Sequence, residues 1–281
     1  MRDIRLSIDL RWVWFSAYGD PVFLSTLVDR LWGLMEGTEK HLELLPWRLA
    51  EREGRLDLMG GLLPLILDEA DARSLPSPLR QMNAMGIDVE SAVQRLQLAG
   101  FLHPYQGRAV VKLLLAPLGR GIADVAVGGG KTRIATALIA VGASIGTHWW
   151  AYGHPSEELA RQAQSEVSRD LPGMLACLDL EEGDVTYVCR SYTKLLSGGT
   201  SPALWRGLIC DEGHRLGAAG MAKAAAEVSA VFRLGLSGSP LDRGDARNVL
   251  VQGLTGPVVY KIKVRDVEKA GGLASGKVEG A

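Results

Sequence analysis

The chain has 281 residues, 47% of them apolar and 22% charged, with a formal net charge of −1. This is ordinary globular composition, enough for one large domain or two modest ones without staples. A charge this close to zero excludes a whole-chain polycation, so any nucleic-acid contact must come from a local patch. Cys177, Cys189 and Cys210 are too few and too scattered for a disulfide framework or a cysteine-based zinc site. They read as reduced core residues in a cytoplasmic setting. The opening residues, MRDIRLSIDLRW, lack the apolar stretch of a secretory signal. No run approaches the roughly 18 apolar residues of a membrane span.

Charge divides the chain. Residues 1–100 hold 11 basic and 15 acidic residues, a net of −4; residues 101–281 hold 20 and 17, a net of +3. The alternation of Ile4, Leu6, Ile8, Leu10, Trp12 and Trp14 predicts a half-buried strand. Gly19-Asp20-Pro21 punctuates it, and Val22 to Met35 reads as a helix. A turn falls at Glu53-Gly54. A helix follows Gly60-Gly61, with Pro64 in its first turn where proline is tolerated. Residues 74–100 read as a helical connector. Trp12, Trp14, Trp32 and Trp47 are expected to build a small N-terminal core. Beyond residue 101, strand-length apolar runs alternate with helix-length segments. The runs are Ile122–Val127, Thr147–Tyr152, Val185–Cys189, Leu208–Cys210 and Phe232–Leu236. Such alternation predicts an α/β fold with a parallel sheet. Trp149 and Trp150 lie in one of these runs and are expected to pack under helices. The expected organisation is a small α+β N-terminal domain at 1–96, accessory and open to DNA or protein recognition, followed by an α/β domain at 97–281.

Val125-Ala126-Val127-Gly128-Gly129-Gly130-Lys131-Thr132 is the strongest chemical signal. It joins an apolar strand to a helical run. Glycines there let backbone N–H groups approach phosphates, and the helix N-terminus adds a favourable dipole. Lys131 would reach the β- and γ-phosphates of ATP, and the Thr132 hydroxyl would ligate Mg²⁺. The usual first glycine of the longer pattern is replaced by Val125. A metal also needs an acid, and two strings offer one. Leu65 to Asp71 spells a DEAD box, but it precedes the phosphate loop and follows Pro64, which would spoil a central strand. Asp211-Glu212-Gly213-His214 instead ends an apolar strand, where ligands of open α/β sheets bind. Asp211 would hold Mg²⁺, and Glu212 would orient or deprotonate the attacking water. Gly128–Thr132 and Asp211 are therefore expected to share one cleft at the C-terminal edge of the sheet.

Gly128–Thr132 together with Asp211–His214 resembles the DExH branch of superfamily 2 helicases and translocases. Other segments follow in the family's order. Leu102-His103-Pro104-Tyr105-Gln106 looks like the segment whose glutamine contacts adenine. Pro155-Ser156-Glu157-Glu158-Leu159-Ala160-Arg161-Gln162 resembles motif Ia, which grips a nucleic-acid backbone. Ser191-Tyr192-Thr193-Lys194-Leu195 resembles the motif Ib region. Leu236-Ser237-Gly238-Ser239-Pro240 looks like motif III, which couples the nucleotide and nucleic-acid sites, with His214 as its partner. The resemblance covers about residues 102–275. It is nearest to the branch of XPB-like helicases, phage repair helicases and the motor subunits of type I and III restriction enzymes. Gly213 stands where alanine is common, and Ser239 where threonine is.

The resemblance implies a RecA-like P-loop NTPase lobe, using ATP and Mg²⁺, with single-stranded or branched DNA as its partner. A second RecA-like lobe, in trans or in a longer chain, would complete it, since motifs IV to VI and the arginine finger have no counterpart here. Two functions stay open. One is the ATP-binding lobe of a DNA helicase or translocase; the other is an ATP-gated DNA-binding or regulatory protein without unwinding activity. A small-molecule kinase or GTPase fits less well, because adenine-linked Gln106 and the Asp211–His214 motif argue against it and no guanine-reading NKxD pattern is present.

Overall fold

Along β2 (Trp14–Tyr18), Phe15 and Ala17 are buried while Trp14 and Tyr18 face outward. That alternation decides which face of the first sheet is covered. The computed structural model describes residues 5–7, 14–35, 47–50, 53, 55–67, 88–197, 206–218, 221–222, 225–226, 228–238 and 247–271. Within these, β1 (Arg5–Ser7), β2, β3 (Trp47–Ala50) and β4 (Arg55–Met59) form an antiparallel sheet in the order β1-β2-β4-β3. Phe15 lies opposite Leu58 and Ala17 opposite Leu56, so one face is apolar. Helix α1 (Pro21–Gly33) covers it with Leu24, Leu27 and Leu31. Asp20 caps this helix by accepting from the amide of Val22 at 2.8 Å.

Two expectations for this region change. The alternation expected to run to Trp14 is split, because Trp14 begins β2, which turns back antiparallel to β1. The tryptophans are also not the core. Trp47 is buried, but Trp14 and Trp32 are 37% and 39% exposed, and Trp12 lies outside the described residues. Smaller aliphatic side chains fill the space between helix and sheet more completely. Trp32 packs edge-on against Trp47 at the rim.

A 3₁₀ turn (Gly60–Leu62) and the short α2 (Leu63–Ile66) carry the chain onto the second sheet. Here the two parts meet without a gap. A Cβ at Gly61 would sit 2.0 Å from the carbonyl oxygen of Gln252. Met59 joins a cluster with Leu250 and Leu254, and the Arg120 guanidinium lies 5.1 Å from the centre of the Phe15 ring. Helix α3 (Val89–Leu98) runs across position 96/97, and Val89, Ala92, Val93 and Leu96 join the core of the large sheet.

That sheet has six parallel strands in the order β10-β5-β9-β8-β6-β7. They are β5 (Arg120–Val125), β6 (Trp149–His154), β7 (Thr186–Ser191), β8 (Gly207–Asp211), β9 (Phe232–Ser237) and β10 (Val258–Ile262). Five match the predicted runs within a few residues; β10 is an addition. One face is covered by α3, α4 (Pro104–Leu114), α5 (Lys131–Ser144) and α6 (Glu157–Cys177). The other is covered by α7 (Tyr192–Ser197), a 3₁₀ turn at Gly213–Gly217 and α8 (Arg247–Thr255). The chain continues into α9 (Val264–Lys269). With all strands parallel, the loops after β5, β6, β7, β8 and β9 emerge at one edge.

Trp150 anchors this core. It is fully buried between α5 and β8, as expected, whereas Trp149 is 40% exposed at the strand's start. A Cβ at Gly142 would sit 2.2 Å from the indole, and one at Gly207 would sit 2.1 Å from it. Gly142→Ala should therefore lower the melting temperature. Overpacking costs about 1–3 kcal/mol, more than the roughly 0.5–1 kcal/mol alanine gains in a helix. Thermal unfolding decides the sign; a stabilised variant would contradict this packing.

Candidate nucleotide and nucleic-acid site

β5 is buried along its whole length and ends at Val125, immediately before the glycine loop. Gly128 and Gly130 have φ of 77° and 78°, a left-handed backbone that non-glycine residues adopt only under strain. Gly130 is the N-cap of α5 and offers no side chain to the first amides of that helix. Those amides have no intrahelical acceptor, so they are open to an anion.

Gln106 braces this loop. It is 3% exposed, and its Nε2 donates to the carbonyl of Gly129 at 3.1 Å while its Oε1 accepts from the amide of His103 at 3.0 Å. The structure thus turns the predicted adenine-contacting glutamine toward the loop backbone.

Lys131 starts α5 and meets the acids of β8. Its Nζ donates to Oε1 of Glu212 and lies 3.5 Å from Oδ1 of Asp211. Glu212 has a left-handed backbone (φ 49°), unusual for a residue with a side chain. This turns the chain sharply at the strand end and aims the carboxylate at Lys131. The neighbouring Gly213 has room for a methyl group, since its Cβ would stand 3.9 Å from Gly235. Glycine in place of alanine therefore removes no necessary contact. Ser237, at the end of β9, donates to Oε2 of Glu212 at 3.3 Å, and its Oγ lies 3.1 Å from Nδ1 of His214. Ser239 lies outside the described residues.

For a divalent metal, Thr132 and Asp211 present the hard oxygen donors that Mg²⁺ prefers. Buried polar atoms surround them. Both ring nitrogens of His154 lack a hydrogen-bond partner among the described residues. His154 Nδ1 is 3.4 Å from Oδ2 of Asp211, and Tyr152 faces Thr132 and Asp211. Waters carried by a hydrated cation would satisfy such groups, so the donor set fits the metal. Among the described residues, no group of three or more His, Cys, Asp or Glu side chains is arranged to hold a metal ion by itself. Protein ligands this sparse suit an ion shared with phosphates.

The motif Ia and Ib residues separate by exposure. Ser156 is exposed and caps α6, its Oγ accepting from the amide of Leu159 at 3.3 Å; Arg161 is exposed one turn later, and Pro155 is half-buried. Ser191 and Tyr192 are buried. The Ser191 hydroxyl and amide both donate to Oε1 of Glu157, at 2.5 and 3.0 Å, and the Tyr192 hydroxyl donates to the carbonyl of Asp211. Their side chains serve the protein's interior, so a ligand would meet this segment through other groups. Exposed Lys194, 3.4 Å from Glu157, is one of them.

Neither the place of His154 at this site nor the partner of Glu157 is legible in the local sequence. A histidine just before Pro155 was the available signal for the first. The pairing of Glu157 with Ser191 spans 34 residues and has no local signature. Of the rejected DEAD string, Leu65 to Leu67 close α2 in the small core, and 68–71 lie outside the described residues.

Glu157 carries a titration signature. The Ser191 hydroxyl, then its amide, hold its carboxyl down at about 2, against the opposing effect of burial. A depressed folded pKa stabilises above the unfolded value of 4.5, and that stabilisation disappears as pH falls from 4.5 toward 2. Carboxyl carbon NMR should give a Glu157 midpoint near 2. Ser191→Ala should move it upward. A wild-type midpoint at 4.5 would refute the contact.

No protein-family model matches the chain. A DNA 3′-5′ translocase, XPB2, of Sulfurisphaera tokodaii is 28% identical over 171 residues, covering 59% of this chain and 37% of the relative. The match thus spans little more than a third of that protein's length. Among solved structures, the chain is similar to the UvsW helicase of bacteriophage T4 at 18% identity and a TM-score of 0.47, covering 56% of this chain and 59% of that one. It is also similar to the SWI2/SNF2 ATPase core of Sulfolobus solfataricus, solved with double-stranded DNA, at 18% identity and a TM-score of 0.44, covering 54% and 35%. No helix among the described residues is long and apolar enough to cross a membrane. The six-stranded parallel sheet flanked by helices has the RecA-like architecture, and the chain is similar over 171 residues to a DNA translocase.

Proposed function

We propose that this chain supplies the ATP-binding lobe of a DNA helicase or translocase, with hydrolysis coupled to DNA binding. The observation that carries the reading is the convergence of Lys131, Asp211 and Glu212 at the open N-terminus of α5. The Lys131 ammonium is paired with the two carboxylates. An ATP triphosphate would compete for it with more negative charge, and the amides at the start of α5 would take the remaining phosphate oxygens. Released from Lys131, Glu212 would be free to orient and deprotonate the attacking water. Ser237 keeps its other oxygen in place. Thr132 and Asp211 would hold Mg²⁺, which supplies charge neutralisation across the β- and γ-phosphates.

On the nucleic-acid side, exposed Ser156 and Arg161 support backbone contact at the same edge of the sheet. Glu157 and Glu158 in the first turn of α6 oppose a phosphate at the helix end itself. DNA would therefore be gripped by side chains rather than by the helix dipole. The contribution of residues 1–96, in DNA or protein recognition, belongs to the same proposal. The lobe offers Lys131 and a metal against the charge of the transition state. Arginines are usually supplied from another lobe and are worth about 10³–10⁵ in rate. We assign motor activity to the pair of lobes.

Lys131→Ala should weaken ATP binding roughly 10–150-fold, the scale of a charge-assisted contact of about 1.5–3 kcal/mol. Glu212→Gln should bind ATP normally and lose most hydrolysis, while Glu69→Gln changes neither. Fluorescent-nucleotide titration and phosphate release measure both quantities. Normal turnover by Glu212→Gln would remove the general base from this mechanism. Adding a second RecA-like lobe and single-stranded DNA should raise ATPase by orders of magnitude. Binding of ATP and DNA without any such rise would favour the regulatory reading.

A further inference from the structure

Tyr192 is not accounted for by the nucleotide site or by a direct DNA contact. It opens α7 directly after β7, is 1% exposed, and lies on the sheet face opposite Lys131. Its ring crosses β6 at Gly153, where a Cβ would stand 2.6 Å from Cε1 of the ring. Only the missing side chain lets the ring pass. Beyond β6, its hydroxyl donates to the carbonyl of Asp211 on β8. The ladder between β6 and β8 ends at Gly153 opposite Cys210, so this carbonyl lies past the last paired residues on that side. The phenol spans three strands and supplies the bond that the ladder no longer makes. Immediately after that carbonyl comes Glu212, in its left-handed conformation.

The other end of the strut is also tied down. Ser191, the preceding residue, gives both its hydroxyl and its amide to Glu157, in the first turn of α6. That turn follows Ser156 and precedes Arg161. A continuous path thus runs from the exposed start of α6, through Glu157, Ser191 and Tyr192, to the peptide between Asp211 and Glu212. Each link is a hydrogen bond or a covalent neighbour.

We propose that Tyr192 is a positioning residue that fixes the Asp211–Glu212 turn and links it to the motif Ia end of α6. What is transmitted rests on the ATPase and DNA-binding reading above; the strut itself does not. The hydroxyl holds the turn from the far face while the carboxylates work on the near one. A shift of the α6 N-terminus on DNA contact would reach Glu212 through this route, separately from the link between His214 and Ser237.

Tyr192→Phe keeps the ring and removes only the hydroxyl. In the full chain, amide hydrogen exchange over residues 207–216 should speed up about tenfold in this variant, the scale of one lost buried hydrogen bond. Exchange over β9 should stay as it is. Gly153→Ala, which displaces the ring, should reproduce the effect. Glu157→Gln should also loosen 207–216, although it lies in another element, and should add nothing once Tyr192→Phe is present. In ATPase assays with single-stranded DNA, Tyr192→Phe should lower kcat by about the same factor and leave the KM for ATP in place. Unchanged exchange at 207–216 in Tyr192→Phe overturns the strut. Independent, multiplying effects of Glu157→Gln and Tyr192→Phe overturn the link to α6. A wild-type chain that hydrolyses no ATP would instead defeat the functional reading, and the exchange data would still decide the strut.

Discussion

Lys131 and the carboxylates of Asp211 and Glu212 meet across 80 residues of chain, and the architecture of the large lobe accounts for that meeting. Parallel strands send every outgoing loop to the same edge, so the ends of β5 and β8 are brought together with only β9 between them. Like charges at that edge would repel; here one cation faces two anions. The pair is partly exposed, and in water its net contribution to stability is small. Its importance lies elsewhere. It leaves a cation and two acids in place beside helix amides that have no intrahelical acceptor.

The same edge is served from both faces of the sheet. On the face of α5, Tyr152 and His154 surround the carboxylate of Asp211 with polar atoms. On the opposite face, Tyr192 holds its carbonyl. A residue gripped in this way has little freedom to relax, and the left-handed turn at Glu212 is a conformation that needs such support. Cys210, buried beneath, has its thiol pushed up to about 12 by desolvation, so it packs as a small apolar group.

The small antiparallel sheet is joined to this arrangement by packing rather than by a linker alone. Phe15 under Arg120, Gly61 against the backbone of α8, and Met59 among the side chains of that helix make a continuous contact. Arg120 and Arg233 are both buried at the N-terminal end of their strands, far from the edge that carries Lys131 and Asp211. Burial pulls their pKa values down, and the Arg233 guanidinium gives hydrogen bonds to the carbonyls of Ala225 and Val228. The base of the lobe is thus specified by polar as well as apolar contacts.

Local pattern was enough to find the strands, the glycine loop and the acidic strand end, because each is written in consecutive residues. Apolar runs mark buried parallel strands, glycines mark a left-handed backbone, and Asp211-Glu212 sits where a run stops. Pattern also separated Asp211–His214 from the DEAD string by chain order and by Pro64. Local pattern failed where neighbours are distant in sequence. The alternation of residues 4–14 could not show that the chain reverses before Trp14. The tryptophans looked like a core by size, while aliphatic packing under α1 decided otherwise. Gln106 turned to the loop backbone because Gly129 lies within its reach, and Ser191 and Tyr192 were drawn inward by Glu157 and the Asp211 carbonyl. Residue identity determined which chemistry was available at the sheet's edge. Only the tertiary structure decided which side chains face a ligand and which hold the others in place, since hydrogen bonds across strands depend on register and crossover.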